Sequence, residues 1–533
     1  MNYSALVDAA TASALDLAWL NAQLEPLSEP GRRAYASLEP FPPGAEREAA
    51  ERAQAIADMA QCIDSAAVDA MRDALRAMPD PLPALSRATM GDTLEDANLL
   101  ELLRFLDAAR RLAPHVRIGD EAREAAQLLE HGRAGKFGFY LSEKFDPSLA
   151  AARAQANHAQ AEFDAARGRL AQRIAGELGR EEISGTEFIV MRDQAPALPP
   201  GVRVVREAPT YLLCELELDE PALEALRKRD EGAARAAAIE ESVRASISRA
   251  VRERSRALEA LLQGVGDLDV QLAQVRFTKQ YACVPAQITG ERTLRLTNAR
   301  YLPLQSELEA QGRRYEPISI DLSDAAVLTG PNMGGKSVAL RTCGFLALLA
   351  SFGIPVPAQE ARCGLFDEIA WLGIGAQEEL GGLLSSFARE VVRLNEILAR
   401  PASSALLLID EFARTTTPHE GKALLVALIR ALRRRGRLAF IATHLAGIAS
   451  EAQARHFAVR GLRDVPKAAP AGDLAAALAS LADSMDYAVA EVGDGASGQA
   501  DAVALAHLLG LDDEIVAEAA HLLGGEPGAS WTR

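Results

Sequence analysis

Aromatic residues and cysteines are scarce in this chain of 533 residues. Aromatic side chains make up 5% of the sequence, and there are five cysteines. The cysteines are odd in number, lie far apart and form no Cys-x-x-Cys pair, which excludes a disulfide framework. Isolated thiols are typical of the reducing cytosol, so we expect a cytoplasmic protein.

Long apolar runs and an excess of basic residues are also missing. No window approaches about eighteen uninterrupted apolar residues, so the sequence predicts neither a transmembrane helix nor a membrane partner. The start of the chain has no basic region and contains Asp8 and Asp16, which disfavours a secretory signal. The formal net charge of −17 favours solubility and does not indicate a polyanion as partner.

The composition that remains is that of a soluble protein with more than one domain, since 49% of the residues are hydrophobic and 25% are charged. Residues 1–175 carry Ala-rich amphipathic stretches separated by proline-rich breaks, which predict packed long helices. Short apolar or β-branched runs follow at 186–192, 202–206 and 210–218, and a helical pattern returns over 221–263. This order predicts a helical arm with a small β module at its tip.

Residues 291–330 carry strand signals, including RTLRLTNARYLPL at 292–304, and from there to about 460 apolar strand-like runs alternate with helical patterns. That alternation predicts a mostly parallel sheet covered by helices on both faces. The segment Gly-Pro-Asn-Met-Gly-Gly-Lys-Ser at 330–337 matches G-x-x-x-x-G-K-[ST], follows an apolar strand and precedes a helix, as a phosphate-binding P-loop does. The alternative is a chance glycine-rich turn.

The predicted nucleotide-binding residues form one run. They are Gly330, Pro331, Asn332, Met333, Gly334, Gly335, Lys336 and Ser337. Backbone N–H groups of such a loop converge on phosphate oxygens, and the following helix N-terminus adds positive potential. We expect Lys336 to reach the β- and γ-phosphates of ATP and the Ser337 hydroxyl to bind Mg²⁺.

Two further apolar strands end in polar residues. Residues 405–412 read ALLLIDEF, which predicts that Asp410 holds Mg²⁺ through water and that Glu411 is the general base for an attacking water. A helix cap is the alternative, but it accounts for only one carboxylate. Residues 438–445 read LAFIATHL, and His444 is expected beside the γ-phosphate, although a lone histidine at a strand end is usually structural.

Together these motifs resemble those of the MutS family of ABC-class ATPases. The run GPNMGGKS is far more specific for this family than a generic P-loop motif is. The segment 374–387 resembles a family segment whose serine faces the ATP of the opposite subunit, which implies that role for Ser385. The resemblance also implies a homodimer, and it places Tyr315 where the family has an aromatic residue on the adenine. Residues 487–519 resemble the C-terminal helix-turn-helix that supports the family's dimer.

The fold implied is multidomain, with a helical core and lever, a β-rich insert, an α/β P-loop ATPase domain and a C-terminal helix-turn-helix. The boundaries are 1–180 for the helical core and lever, 181–220 for the clamp-like insert, 221–290 for returning lever helices, 291–465 for the ATPase domain and 466–533 for the C-terminal segment.

Departures from the family pattern leave the partner open. We expect this sequence to start directly in the helical core, without a mismatch-reading domain, and Ala413-Arg414-Thr415-Thr416 stands in place of the family's G-R-G-T. The 181–220 insert holds three arginines and nine carboxylates, whereas a DNA clamp gains affinity from basic residues. One hypothesis is therefore an ATPase of mismatch repair or a related DNA transaction. The alternative is an ATP-dependent protein remodeller such as a reactivase of a cobalamin-dependent aminomutase, and a third is a nucleotide-gated structural dimer.

Overall fold

The structure is a computed structural model of the chain. It describes residues 1–533 apart from 114, 136–137, 194–197, 332–333, 374–385, 402, 463–484, 494–502, 504–505, 507–510 and 523–533. Two compact units divide the chain. We call Met1–Arg76 with Gly266–Arg533 the sheet unit and Ala77–Val265 the helical unit.

The helical unit contains a pair of long helices that flank a small sheet in the sequence. Its helices are α6 (Leu82–Met90), α7 (Asp96–Arg111), α8 (Asp120–Glu130), α9 (Ser148–Glu177) and α10 (Glu220–Glu253), followed by the first part of α11 (Ser255–Gln280). Its strands are β1 (Arg133–Ala134), β2 (Gly138–Phe139), β3 (Glu187–Met191), β4 (Val202–Glu207) and β5 (Tyr211–Leu216).

Helices α9 and α10 pack along each other, and β3, β5 and β4 form an antiparallel sheet in that order. Arg153 on α9 pairs with Glu240 on α10 at 2.8 Å. Leu170 and Ile174 near the end of α9 share a core with Phe188 and Cys214 of the sheet. The predicted β module between two long helices is therefore confirmed.

The second long helix is interrupted, which the sequence does not predict. Helix α10 ends at Glu253, and α11 begins at Ser255. The guanidinium of Arg254 donates to the carbonyl of Ala250 at 3.1 Å and to Glu124 on α8 at 3.0 Å. The 221–263 sequence keeps helical periodicity across this point, so the break depends on contacts that periodicity cannot reveal.

The sheet unit holds two larger sheets and the helices that cover them. Its helices are α1 (Ala9–Ala14), α2 (Leu17–Gln23), α3 (Glu29–Ala36), α4 (Glu46–Cys62), α5 (Ser65–Arg76), the end of α11, α12 (Leu302–Ala310), α13 (Lys336–Ser351), α14 (Ser386–Ala399), α15 (Pro418–Arg434), α16 (Ile448–Ala452) and α17 (Asp513–Leu522), with a 3₁₀ turn at Tyr3–Ala5. Its strands are β6 (Gln287–Thr289), β7 (Leu294–Ala299), β8 (Ile318–Leu322), β9 (Ala326–Thr329), β10 (Glu360–Gly364), β11 (Glu368–Leu372), β12 (Ala405–Asp410), β13 (Leu438–Ala442), β14 (Arg455–Leu462) and β15 (Met485–Glu491).

The six-stranded sheet has the order β11-β12-β13-β9-β14-β15, and all its neighbouring pairs are parallel except β14 with β15. Strands β11 and β13 are buried along their full length, as expected for a parallel sheet covered on both faces. The four-stranded sheet has the order β6-β10-β7-β8. The predicted parallel sheet is confirmed, but the stretch 301–304, which reads as strand in sequence, begins α12.

The first residues of the chain cover an edge strand. Strand β11 lies at one end of the six-stranded sheet, where its unpaired backbone groups would otherwise face outward. Ile369 N–H donates to the carbonyl of Leu6 at 2.8 Å, and Trp371 N–H donates to Thr11 Oγ1 at 3.0 Å. Asp8 caps α1 and binds the guanidinium groups of Arg393 and Arg400. The N-terminal segment therefore belongs structurally to the sheet unit.

We expect Asp8→Asn to destabilise the sheet unit by about 1–2 kcal/mol at pH 7. Burial alone would raise the pKa of Asp8, but the Thr11 N–H and the guanidinium groups of Arg393 and Arg400 outweigh it and lower the pKa from 3.8 to about 2. Because the folded pKa is depressed, this stabilisation is complete above pH 3.8 and disappears as the pH falls through about 2.

Urea unfolding of the wild type and of Asp8→Asn at several pH values between neutral and about 3 measures this difference. The difference should shrink as the pH falls below the unfolded pKa. A difference that stays constant across this range would show that the variant acts through packing and not through the charge. Glu360→Gln, at an exposed position of β10 in the same unit, serves as the control.

Candidate nucleotide-binding site

Three neighbouring parallel strands end at one edge of the six-stranded sheet. Asp410 of β12 lies opposite Ala442 of β13, which in turn lies opposite Leu328 of β9. Because carboxyl ends of parallel strands share an edge, the loops after these strands converge there. The structure therefore brings together the glycine-rich loop, the two carboxylates and the His444 loop.

The glycine-rich loop requires glycine at two positions where side chains would collide. Gly330 has φ +151°, and a Cβ there would lie 3.0 Å from Val459 Cβ on β14. Gly335 has φ +84°, and its Cβ would lie 3.1 Å from the Tyr487 ring on β15. The glycines thus let the backbone pass close to two strands before α13 begins at Lys336. Of the predicted loop residues, Asn332 and Met333 lie outside the described residues.

Lys336 is buried, with 6% of its side chain exposed. Its Nζ donates to the carbonyls of Gly330 at 2.9 Å and Pro331 at 3.0 Å, and it lies 3.7 Å from Glu411 Oε1. Burial lowers the pKa of Lys336, and the charges of Glu411 and Asp410 offset part of that effect. An ammonium at this place, beside a helix N-terminus, suits an anionic ligand.

Asp410 and Ser337 place two oxygen ligands side by side. Burial raises the pKa of Asp410, while the Ser337 hydroxyl, which is hydrogen-bonded to it, and the Lys336 charge act in the opposite direction. A Cβ at Gly373 would lie 2.8 Å from Asp410 Cβ, so glycine leaves room for this carboxylate. Within the described part of the chain, no group of three or more His, Cys, Asp or Glu residues is arranged to hold a metal ion.

A hydroxyl and a carboxylate are nevertheless the protein ligands that fit Mg²⁺, which keeps several waters and takes its other ligands from substrate phosphates. Mg²⁺ would supply charge neutralisation at these phosphates. Ser337 and Asp410 are the residues that would hold it.

Glu411 is surrounded by three nitrogen-bearing side chains. Its Oε1 lies 3.7 Å from both Lys336 Nζ and His444 Nδ1, and its Oε2 lies 3.8 Å from an Arg414 nitrogen. Only 15% of the Glu411 side chain is exposed, against 44% for His444. Its own N–H donates to the Ala442 carbonyl at 3.0 Å, which ties the residue to β13. The carboxylate is thus placed where it can accept a proton from a water that enters beside His444.

Two predicted residues are not brought to this cluster by the described contacts. The Tyr315 hydroxyl accepts a hydrogen bond from Tyr301 N–H at 3.0 Å, and its ring packs against the main core. Its role at an adenine stays a prediction. Ser385 lies outside the described residues, so its role across a dimer also stays a prediction.

Two neighbours of the cluster were not found from the sequence. Tyr487 contacts the glycine-rich loop across about 150 residues of sequence, and no local signal links the two. Glu390 is 8% exposed and accepts a hydrogen bond from Ala413 N–H at 2.8 Å. Its spacing to the buried Leu394 and Ile397 puts it on the apolar face of α14, which is the signal that could have identified it.

The strand order, the glycine-rich loop and the paired carboxylates define a P-loop protein of the α/β class. Comparison with known proteins narrows the class. Residues 326–524 match the family model of MutS domain V. Over these residues the chain is therefore similar to the MutS family.

Individual relatives agree with this assignment. The chain is 32% identical over 204 residues to endonuclease MutS2 of Pelotomaculum thermopropionicum, an alignment that covers 38% of this chain and 25% of that protein. It is 28% identical over 404 residues to the DNA mismatch repair protein MutS of Granulibacter bethesdensis and 29% identical over 381 residues to that of Thermus aquaticus. Each of these two alignments covers 70% of this chain and 43% of the relative. The chain thus spans less than half of the length of these relatives.

Among the residues that the structure describes, no helix is both long and apolar enough to cross a membrane.

Proposed function

We propose that this chain hydrolyses ATP with Mg²⁺ as a MutS-like dimer in DNA mismatch repair or a related DNA transaction. The observation that carries the proposal is the position of Lys336 Nζ and His444 Nδ1, each 3.7 Å from Glu411 Oε1, at one edge of a parallel sheet. The match to MutS domain V over this part of the chain supports it.

The residues have separate tasks in this proposal. Mg²⁺–ATP supplies the phosphoanhydride bond that water cleaves, with ADP as the leaving group. Lys336 neutralises charge on the β- and γ-phosphates, and Ser337 and Asp410 hold the metal. Glu411 accepts the proton of the attacking water, and His444 orients that water or the γ-phosphate. Ser385 completes the site of the opposite subunit, and closure of the two ATPase domains moves the helical arms.

A protein partner is the second candidate, because the small sheet of the helical unit suits a protein surface better than a duplex. Ile189 and Met191 on β3 are 48% and 40% exposed, and Val205 on β4 is 47% exposed. Two of the three arginines in this region already pair with carboxylates, Arg192 with Glu207 and Arg203 with Glu215. Exposed apolar side chains among carboxylates are typical of protein recognition and gain nothing from DNA phosphates. An ATP-dependent remodeller of a cobalamin-dependent aminomutase would need such a surface to bind its protein partner.

One experiment tests both candidates. Fluorescent homoduplex, mismatched and branched DNA are titrated with the purified protein, with and without ATP and Mg²⁺, between about 50 and 200 mM salt, and phosphate release is measured in the same samples. We expect phosphate release that depends on Mg²⁺, together with DNA binding that weakens steeply as salt rises.

The outcomes separate the parts of the proposal. No phosphate release would overturn the ATPase. Phosphate release without DNA binding at low salt would overturn the DNA role and favour a protein partner. Arg206→Ala removes an exposed cation of the small sheet. If DNA binds, this variant should reduce the slope of log binding constant against log salt concentration by about one, which corresponds to the loss of one phosphate contact.

A further inference from the structure

The turn that follows the two carboxylates has an unusual backbone. Glu411 has φ +55° and Ala413 has φ +63°, although neither is glycine. Residues with side chains rarely adopt this left-handed region, and they keep it only where surrounding contacts hold them there. The turn between β12 and α15 therefore needs an anchor close to Glu411.

Glu390 on α14 provides a contact of this kind. Its Oε2 accepts the Ala413 N–H at 2.8 Å, and Glu390 and Ala413 are 8% and 3% exposed. A buried backbone N–H that loses its acceptor is strongly unfavourable, so this carboxylate helps to hold Ala413 in place. Burial raises the pKa of Glu390, while the Ala413 N–H and the charge of Arg414 lower it.

The rest of the turn is closely packed around Ala413. A Cβ at Gly421 would lie 3.1 Å from the Ala413 carbonyl, and Thr416 N–H donates to that carbonyl at 3.3 Å. Ala413 also belongs to the same apolar core as Leu394 and Ile397 of α14. The helix that carries Glu390 and the turn that carries Glu411 are thus fixed to one core.

We infer that Glu390 is a positioning residue for Glu411, acting through the Ala413 N–H two residues away. The inference rests on the proposed ATP hydrolysis. Glu390 does not touch the phosphate-binding residues in any described contact, so its loss should impair the chemical step more than ATP binding. A displaced base lowers the turnover number, while the Lys336 and Ser337 contacts that hold ATP are kept.

The test compares three substitutions of one residue. Glu390→Gln keeps an oxygen acceptor at the right reach without charge, Glu390→Asp keeps the charge but shortens the reach, and Glu390→Ala removes both. We expect kcat for ATP to fall by about tenfold or more in Glu390→Ala and Glu390→Asp and clearly less in Glu390→Gln, with KM for ATP changing less than about threefold in all three. Glu396→Ala, an exposed carboxylate on the same helix, is the matched control.

The reverse order, with Glu390→Asp more active than Glu390→Gln, would overturn the positioning role, because charge and not reach would then matter. A rise in KM that equals the fall in kcat/KM would overturn it too. Thermal unfolding of each variant excludes global unfolding as the cause, and Glu390→Gln, which keeps the hydrogen bond, remains informative if Glu390→Ala does not fold.

A double-variant comparison separates this inference from the proposed function. If Glu390 acts through Glu411, then adding Glu390→Ala to Glu411→Gln should cause no further loss of turnover. A further loss as large as in the wild-type background would overturn the positioning role and leave Glu411 as the base. Wild-type turnover in Glu411→Gln would instead overturn the proposed base, and the positioning role with it.

Discussion

Lys336→Ala should weaken ATP binding by at least about a hundredfold. The Lys336 ammonium is the buried cation of the glycine-rich loop, and charge-assisted hydrogen bonds to phosphate are each worth about 1.5–3 kcal/mol. Lys336 Nζ donates to two carbonyls of the loop and lies 3.7 Å from Glu411 Oε1, whereas Arg414 lies 3.8 Å from the other oxygen of Glu411. Loss of this side chain should therefore remove a large part of the affinity for the phosphates.

Titration with a fluorescent ATP analogue measures the dissociation constant of this variant. Lys279→Ala, which removes a lysine from the last turn of α11, is the control for loss of a positive charge. Thermal unfolding should show that Lys336→Ala remains folded, since the polar contacts of its Nζ are with two carbonyls of the loop and with Glu411. A dissociation constant within about threefold of wild type would refute the phosphate-binding assignment, because tenfold already corresponds to only about 1.4 kcal/mol.

Glu411→Gln should bind ATP normally and yet lose turnover by about a hundredfold or more. Amide and carboxylate have the same shape, so the hydrogen bond from Glu411 N–H to Ala442 and the turn around Ala413 should persist. An amide cannot accept the proton of the attacking water, and loss of a general base typically costs about 10²–10⁴ in rate. Bound ATP should then persist, and with it the ATP-closed dimer.

Steady-state phosphate release and analytical ultracentrifugation with ATP and Mg²⁺ check the two halves of this prediction. Glu360→Gln, an isosteric change at an exposed position of β10, is the matched control. Unchanged turnover would remove Glu411 as the base. Slow turnover without an increase in dimer would keep the base and refute the ATP-closed dimer.

The parts of the site that could be predicted are those whose residues lie next to one another in the sequence. The glycine-rich loop, Asp410 with Glu411, and His444 each follow an apolar strand, and parallel strands deliver such residues to one edge. The parallel direction of those strands was also predictable, because strand and helix alternate through this part of the chain. The local sequence pattern was sufficient to predict site residues that directly follow a recognisable strand.

Residues that act across long sequence distances could not be predicted. Glu390 binds Ala413 only because α14 and β12 pack into one core, and Tyr487 reaches Gly335 only because β15 extends the sheet. The break at Arg254 depends on Glu124 of another helix. In each of these places a tertiary contact decides the outcome, and the sequence around it reads as an ordinary helix or strand.

The contact between Asp8 and Arg393 has a consequence for how the protein is made. The two residues are 385 positions apart, so Asp8 leaves the ribosome long before its partner exists. At about 5–20 residues per second, the delay is roughly 20–80 s. Through that time Leu15, Leu17 and Leu20, which end up fully or almost fully buried, have no finished sheet to pack on. The growing chain therefore carries an exposed apolar segment that a chaperone can recognise, and the six-stranded sheet is covered at its β11 edge only when synthesis is well advanced.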